Sequence, residues 1–325
     1  MLIPAKFDDL AEDIGSVDYR LKETGQVPEI SEYLNQTVLL GGKRFRPALC
    51  FAMGRLFGVA SAEIAPFACS IERVHAATLA HDDVIDGASL RRDRPTLNAL
   101  ATNSRAVLAG DLLLARVISE MAETGKPELM LTLSHVLAAL IDGEWLQMEA
   151  RGQARITRRH LETVASKKTA SVLRWCCGTP ARLANGSSRA IELAETFGEL
   201  LGVAFQMIDD AIDYSPSSGK PYAQDFREGL VNFVTLEILE AHPSRMGRIA
   251  EKLGHARERE AFPWSDDEMD AALASVRRRA EAKLLAARDT LHELASLVHL
   301  CDPSQASSRI RPLEAILDEC LQRNR

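Results

Sequence analysis

Aromatic residues are scarce: Phe, Trp and Tyr together make up only 5% of the 325 residues. Runs of β-branched residues, which a sheet would need, are rare as well. What remains is rich in Leu and Ala, and helix-compatible residues fill almost every segment, so a β-rich fold is excluded and an all-α chain is expected. Positive charge is also in deficit. There are 39 Lys and Arg against 46 Asp and Glu, a formal net charge of −7, which argues against a nucleic-acid partner. The six cysteines, Cys50, Cys69, Cys176, Cys177, Cys301 and Cys320, show no CxxC or Cys/His spacing. Neither a zinc site nor a disulfide framework follows, and buried reduced thiols are expected. No window approaches the roughly 20 apolar residues of a membrane span. The opening MLIPAKFDDLAEDIG turns acidic before any hydrophobic stretch of signal length. A cytoplasmic protein with no transmembrane segment is the expectation. Linkers, low-complexity tracts and solenoid repeats are absent too, so residues 1–325 read as a single domain.

What is present is helical periodicity. It runs through residues 6–24, 28–39, 45–57, 61–86, 96–103, 105–123, 127–151, 158–175, 187–214, 228–240, 243–254, 266–297 and 307–322. Glycine and proline punctuate the gaps: Gly41-Gly42, Gly125-Lys126-Pro127, Gly178-Thr179-Pro180, and the run Ser215-Pro216-Ser217-Ser218-Gly219-Lys220-Pro221. Thr157 and Ser265 stand where N-caps are needed.

Two acidic clusters share one spacing. Asp82, Asp83 and Asp86 follow the apolar RVHAATLA; Asp209, Asp210 and Asp213 follow LGVAFQMI. Residues four apart on a helix lie about 40° apart around the axis, so Asp82 and Asp86 project side by side, as do Asp209 and Asp213. Carboxylates gathered on one face repel unless cations occupy them, and hard oxygen ligands suit magnesium bridged to substrate phosphates. A third match, Asp266-Asp267-Glu268-Met269-Asp270, opens a helix after Ser265, where acids complement the macrodipole; it reads as capping. The basic residues Lys43, Arg44, Arg46, Arg91, Arg92, Lys167, Lys168 and Lys220 supply charges for phosphate oxygens. Of these, Arg44 and Lys167 read as parts of solvated faces. His75, seven residues before Asp82, lies about 20° from it on the same face, which favours a ligand role.

These pieces, in order, resemble the trans-type isoprenyl diphosphate synthases, the head-to-tail polyprenyl synthetases. The matching stretches are GGKRFRP at 41–47, LAHDDVID at 79–86, RRDRPT at 91–96 and VLAGDLLLAR at 107–116. GEWLQ at 143–147, KTA at 168–170, GVAFQMIDDAIDY at 202–214, KP at 220–221 and DFREG at 225–229 complete the set. The resemblance implies an all-α homodimer of the isoprenoid synthase type I fold, a helical bundle with a central substrate cavity. It implies that both aspartate motifs hold Mg²⁺, three ions with substrate bound, through Asp82, Asp83, Asp86, Asp209, Asp210 and Asp213. The allylic diphosphate would be gripped by Arg91, Lys168 and Lys220, and isopentenyl diphosphate by Lys43, Arg46, His75 and Arg92. Thr169 and Gln206 would line the reacting region. The implied activity is Mg²⁺-dependent condensation of isopentenyl diphosphate with an allylic diphosphate, farnesyl or geranylgeranyl, by a prenyltransferase of isoprenoid biosynthesis.

In that family a bulky aromatic four or five residues before the first motif stops chain growth. Here those positions hold the small Thr78 and Ala77, so products of five or more isoprene units are expected, with a short-chain synthase as the alternative. Trp145 points about 200° away from Gln147 around its helix, so packing in the core or a dimer interface is expected for it rather than a place at the tunnel floor. The chain also departs from the family pattern. Asp93 and Arg94 replace a glycine and a lysine, Leu230, Asn232 and Val234 replace a lysine, a threonine and a proline, and the loop at 215–219 is shorter than usual. A terpene cyclase on the same scaffold would have no use for Lys43, Arg46, His75 and Arg92. A non-catalytic partner subunit would typically have lost aspartates that this chain keeps.

Overall fold

The computed structural model describes residues 9–23, 27–91, 94–215, 222–255, 262–298 and 306–323. Expected features at Arg92, Asp93, Lys220 and Cys301 lie outside the described residues. The elements in chain order are α1 (Ala11–Leu21), α2 (Pro28–Gln36), α3 (Phe45–Phe57), α4 (Ser61–Ile85), the two-residue strands β1 (Leu90–Arg91) and β2 (Arg94–Pro95), α5 (Leu97–Leu100), α6 (Asn103–Glu123) and α7 (Pro127–Ala150). Then come α8 (Arg158–Ala165), a π-helical turn (Ser166–Ala170), α9 (Ser171–Leu183), α10 (Ser188–Ile212), α11 (Gln224–Arg227), α12 (Phe233–Ala241), α13 (Met246–Lys252), α14 (Asp266–Val298) and α15 (Ala306–Arg323). The all-α expectation holds. The chain forms two compact units: Met1–Ser134 with Cys176–Ile191 and Val298–Ala315, and His135–Trp175 with Glu192–Leu297 and Ile316–Arg325.

The first unit is built around α4. Ile64, Phe67, Ala68, Ile71, Val74, Ala77 and Ala80 are all buried and point in several directions around the axis, the signature of a helix enclosed by others. It packs on α1, α3 and α6. The approach of α6 depends on Gly110, because a Cβ there would lie 2.3 Å from Nε2 of His81. At the end of α4 the chain turns into the β1–β2 pair, in which Leu90 faces Pro95 and Arg91 faces Arg94. Thr96 Oγ1 and Asn98 Nδ2 donate to the Ala88 carbonyl at 2.8 and 3.0 Å and hold this hairpin. Periodicity gave no sign of a two-residue strand.

In the second unit, α10 lies close against the π-turn and the start of α9. Gly198 and Gly202, one turn apart, make that possible: a Cβ on Gly202 would come within 2.3 Å of the Ala170 backbone, and one on Gly198 within 2.6 Å of Arg174. The long α14 buries Met269, Ala272, Val276, Ala280, Leu284, Ala287, Leu291 and Leu294, a single stripe at spacings of three and four. The scarce aromatics are concentrated here. Phe262 stacks on Trp264 with centroids 5.1 Å apart, Trp264 meets Phe226 at 4.8 Å, and Tyr214 meets Tyr222 at 5.7 Å. This cluster adjoins the second acidic motif through Tyr214.

Two expectations are corrected and a third is narrowed. Gly178-Thr179-Pro180 does not close a helix: α9 continues to Leu183, because Cys176, Cys177, Thr179 and Ala181 are buried and that packing outweighs the hydrogen bond Pro180 removes. Arg44 is not part of a solvated face. It is 6% exposed, with Nε 2.7 Å from Asp18, Nη1 2.8 Å from Glu72 and Nη2 donating to the Leu39 carbonyl. For Trp145 the core is excluded, since it is 63% exposed with its indole N–H on Glu149, which leaves the other expected place, a dimer interface. Other local readings hold. Thr157 accepts from the His160 N–H, and Ser265 and Glu268 exchange hydrogen bonds as a capping box, which accounts for the third acidic match. Cys50, Cys69, Cys176, Cys177 and Cys320 are buried free thiols.

Candidate functional site

Both acidic motifs occupy the C-terminal ends of long helices. Asp82 and Asp83 lie in the last turn of α4 and Asp86 follows it; Asp209 and Asp210 lie in the last turn of α10, and Asp213 follows that helix. Acids at this end oppose the helix macrodipole, so each motif adds negative charge where a helix already presents carbonyls. A nearby cation or hydrogen-bond donor relieves that.

Within each motif the acids divide into exposed and occupied groups. Asp83 is 1% exposed, and its Oδ1 accepts from Nε and Nη2 of Arg91 at 2.9 and 2.7 Å. Asp82 is half-buried and Asp86 is exposed. In the second motif Asp209 is exposed while Asp210 and Asp213 are buried. Asp210 accepts from Gln206 Nε2 at 2.9 Å and from the Phe233 N–H at 3.0 Å. Burial, and then the charge of Asp225, push its carboxyl well above the usual range against the pull of those two bonds. Asp213 accepts from the Asp225 N–H at 3.2 Å.

The departures near the second motif have structural roles. Asn232 caps α12 by accepting from the Thr235 N–H, donates to Asp225 at 2.9 Å and receives the Tyr214 hydroxyl. Val234 is fully buried, and half-buried Leu230 leaves no cation at its position.

The expected cations are placed by their neighbours. Arg44 adopts a left-handed backbone (φ 48°), strained for arginine, and its buried ion pairs hold that turn. Burial works against its charge, but Glu72 and Asp18 outweigh it and keep the guanidinium protonated. On either side, Lys43 is exposed and Arg46 is half-buried with its Nε lacking a partner. His75 and Thr78 are half-buried, and Thr78 donates to the His75 carbonyl at 2.9 Å. Ala77 has no exposed surface.

The π-turn gathers the remaining residues. Lys168 Nζ is bonded to the Glu144 carboxylate and lies 3.1 Å from Gln147 Oε1, while Lys167 reaches Asp142 at 2.8 Å. Thr169 Oγ1 donates to Gln206 Oε1 at 2.8 Å. Thr169, Gln206 and Asp210 therefore form one chain of hydrogen bonds ending on an acid of the second motif. Two participants escaped sequence reasoning. Glu144, three residues before Gln147 and so on the same helix face, could have been found by that spacing. Arg323, whose Nη2 is 3.0 Å from Asp209 Oδ1, carried no local signal.

Among the described residues no three His, Cys, Asp or Glu side chains are gathered into a ready-made metal cage. Each motif, taken by itself, still offers donors that fit a hard divalent cation. Mg²⁺ commonly uses one or two carboxylates and completes its shell with water and phosphate oxygens, and Asp82, Asp86 and Asp209 are accessible carboxylates of that kind.

Residues 27–263 match the family model described as polyprenyl synthetase. The decaprenyl-diphosphate synthase of Dictyostelium discoideum is 33% identical over 220 residues, covering 66% of this chain and 48% of that protein. The chain thus spans about half the length of that relative. Among solved structures, a decaprenyl diphosphate synthase from Rhodobacter capsulatus is 29% identical with a TM-score of 0.79, covering 98% of both chains. A polyprenyl synthase from Caulobacter crescentus, complexed with calcium and isoprenyl diphosphate, is 26% identical with a TM-score of 0.80 over 98% of both chains. The all-α architecture, the ordered motifs and the family match over most of the sequence agree: the chain belongs to the polyprenyl synthetase family.

Proposed function

We propose that this protein is a prenyltransferase that condenses isopentenyl diphosphate head-to-tail with an allylic diphosphate, farnesyl or geranylgeranyl, and releases diphosphate. The product is a trans-polyprenyl diphosphate of five or more isoprene units. One observation carries the reading: accessible carboxylates of two acidic motifs stand at helix C-termini, where they are unfavourable without cations, in a chain that matches a decaprenyl diphosphate synthase over its length. The matched region takes in segments of both compact units, so we read them as one catalytic domain.

In this reading Asp82, Asp86 and Asp209 hold Mg²⁺, three ions with substrate bound, and Asp83, Asp210 and Asp213 shape the positions of those ligands. When bound, the metal neutralises the negative charge that develops on the leaving diphosphate. Lys168, oriented by Glu144 and Gln147, adds a fixed ammonium for the allylic diphosphate, joined by Arg91 and Lys220. Lys43, Arg46, His75 and Arg92 bind isopentenyl diphosphate. The allylic C–O bond ionises, the alkene attacks the allylic cation, and a proton departs to the released diphosphate. Thr169 and Gln206, tied to each other and to Asp210, present a fixed polar surface beside the reacting carbons. No enzyme nucleophile takes part. We place the enzyme in the cytoplasm and propose a homodimer formed through the exposed apolar stripe of α7.

Product analysis tests the proposal. Purified protein receives Mg²⁺, isopentenyl diphosphate and, separately, geranyl, farnesyl or geranylgeranyl diphosphate, and products are resolved by chromatography and mass spectrometry. A ladder ending at five or more units is expected. A ladder ending at three or four would keep the reaction and reject the long product. Hydrocarbons or alcohols in place of prenyl diphosphates would overturn the transfer reaction in favour of cyclisation.

A further inference from the structure

We infer that Arg323 is a positioning residue of the second acidic motif, holding Asp209 in the absence of metal and competing with a divalent cation for its carboxylate. Arg323 lies in the last turn of α15, more than a hundred residues after the motif it serves. Its Nη2 donates to Asp209 Oδ1 at 3.0 Å, and its guanidinium sits over the Phe205 ring at 4.9 Å. Phe205 and Asp209 are one turn apart on α10, so one arginine engages two neighbours on a single helix face. The contact is reversible by its setting: the Arg323 and Asp209 side chains are 28% and 43% exposed.

Charge logic gives the contact its role. The C-terminal end of α10 carries the helix dipole and three aspartates, and Arg323 supplies the cation that this end requires. Asp210 and Asp213 already accept from Gln206, Phe233 and Asp225. The oxygen Arg323 covers belongs to the most accessible acid of the three. A divalent cation taking that oxygen brings two positive charges against the guanidinium, so the two repel and compete for it. The stacking on Phe205 keeps the displaced arginine beside the site.

The inference rests on the metal-dependent reading above, and its test is direct binding rather than turnover. Mn²⁺ is titrated into the full chain without substrate, and free Mn²⁺ is read from its electron paramagnetic resonance signal. Arg323→Leu is expected to bind Mn²⁺ about two- to fivefold tighter than the unaltered protein, the range set by a half-exposed ion pair. Arg323→Lys, which keeps the charge, should return affinity toward the original value, an effect a merely structural arginine would not produce. Hydrogen exchange in residues 316–323 should accelerate when Mn²⁺ binds the unaltered protein. Unchanged or weaker Mn²⁺ affinity in Arg323→Leu, with an unchanged melting temperature, would overturn the inference and leave the metal-dependent reading intact. Absence of Mn²⁺ binding by every variant, with or without inorganic diphosphate, would overturn both.

Discussion

Thr78 sits one helical turn before Asp82, half-buried, whereas its neighbour Ala77 is enclosed with Leu34, Leu39, Leu97, Ala106, Ala109 and Leu113. The two chain-length candidates therefore respond differently to bulk. Thr78→Phe projects a ring from the accessible side of α4, and in the proposed reaction it should shorten the longest product by at least one isoprene unit with little loss of stability. Ala77→Phe must displace packed side chains and should cost about 1–3 kcal/mol in stability. Mass spectrometry of products and thermal melts of both variants separate the effects; equal shortening without destabilisation by Ala77→Phe would show that its surroundings form open tunnel. At this scale the sequence was legible in placement wherever that followed from short spacing, as for Asp82, Asp83 and Asp86 gathered at the end of α4 and Asp209, Asp210 and Asp213 at the end of α10. It was silent where a side chain meets a distant partner. Arg44 reaches Asp18 and Glu72, and Arg323 reaches Asp209 across 114 positions, so nothing in GGKRFRP or LQRNR announces either pairing.

Helices α8, α12 and α14 are clamped by one carboxylate. Glu237 on α12 meets Arg158 of α8 at 2.7 Å, Arg279 of α14 at 2.9 Å and the Ser275 hydroxyl of α14 at 2.7 Å. Burial pushes its pKa up, but the bonds from Ser275 and Arg158 and the charges of both arginines outweigh that and hold it below the ordinary glutamate range. A carboxyl whose pKa is lowered on folding stabilises the fold above its unfolded value of about 4.3, and that contribution is lost as pH falls through the folded value. Glu237→Gln should therefore lower stability by about 1–3 kcal/mol at pH 7, removing the carboxylate that Arg279 meets and leaving Arg158 with Glu240 alone. The difference should narrow as pH falls below about 4.3. Denaturant unfolding across that pH range measures it; a constant difference would assign the effect to shape rather than charge. The clamp was not legible, since its members lie on three separated helices. The helices themselves were, because apolar periodicity and caps such as Thr157 and Ser265 are local. Pro180 misled for the complementary reason: the burial that keeps α9 helical through it is tertiary.

At the scale of the whole molecule, α7 raises the question of what covers it. The expectation that no stretch approaches a membrane span does not hold here: among the described residues α7 is the one helix long and apolar enough to cross a membrane, and only 22% of its most apolar window is buried. Leu131, Ile141, Trp145 and Met148 are exposed by 58%, 68%, 63% and 47%. With Ser134 and Ala138 they fall at alternating spacings of three and four, the seam of a helix that packs on another helix. Lipid is a poor occupant, because Asp142 and Glu144 lie within this stretch and are held by Lys167 and Lys168. A second copy of the chain, as in the proposed homodimer, would cover the seam, and it gives Trp145 a place at the interface that the core does not provide. Replacing both Ile141 and Trp145 by glutamate would bring charges into that seam and remove two large apolar contacts. Each is worth about 1.5–3 kcal/mol when fully buried, so dimer dissociation should strengthen by at least about 100-fold. Light scattering on a sizing column should then give twice the chain mass for the unaltered protein and one chain mass for the double variant. Leu285→Glu, a similar charge placed on the exposed side of α14, should leave the dimer intact. A monomeric unaltered protein, or a double variant that remains dimeric, would remove α7 from the interface.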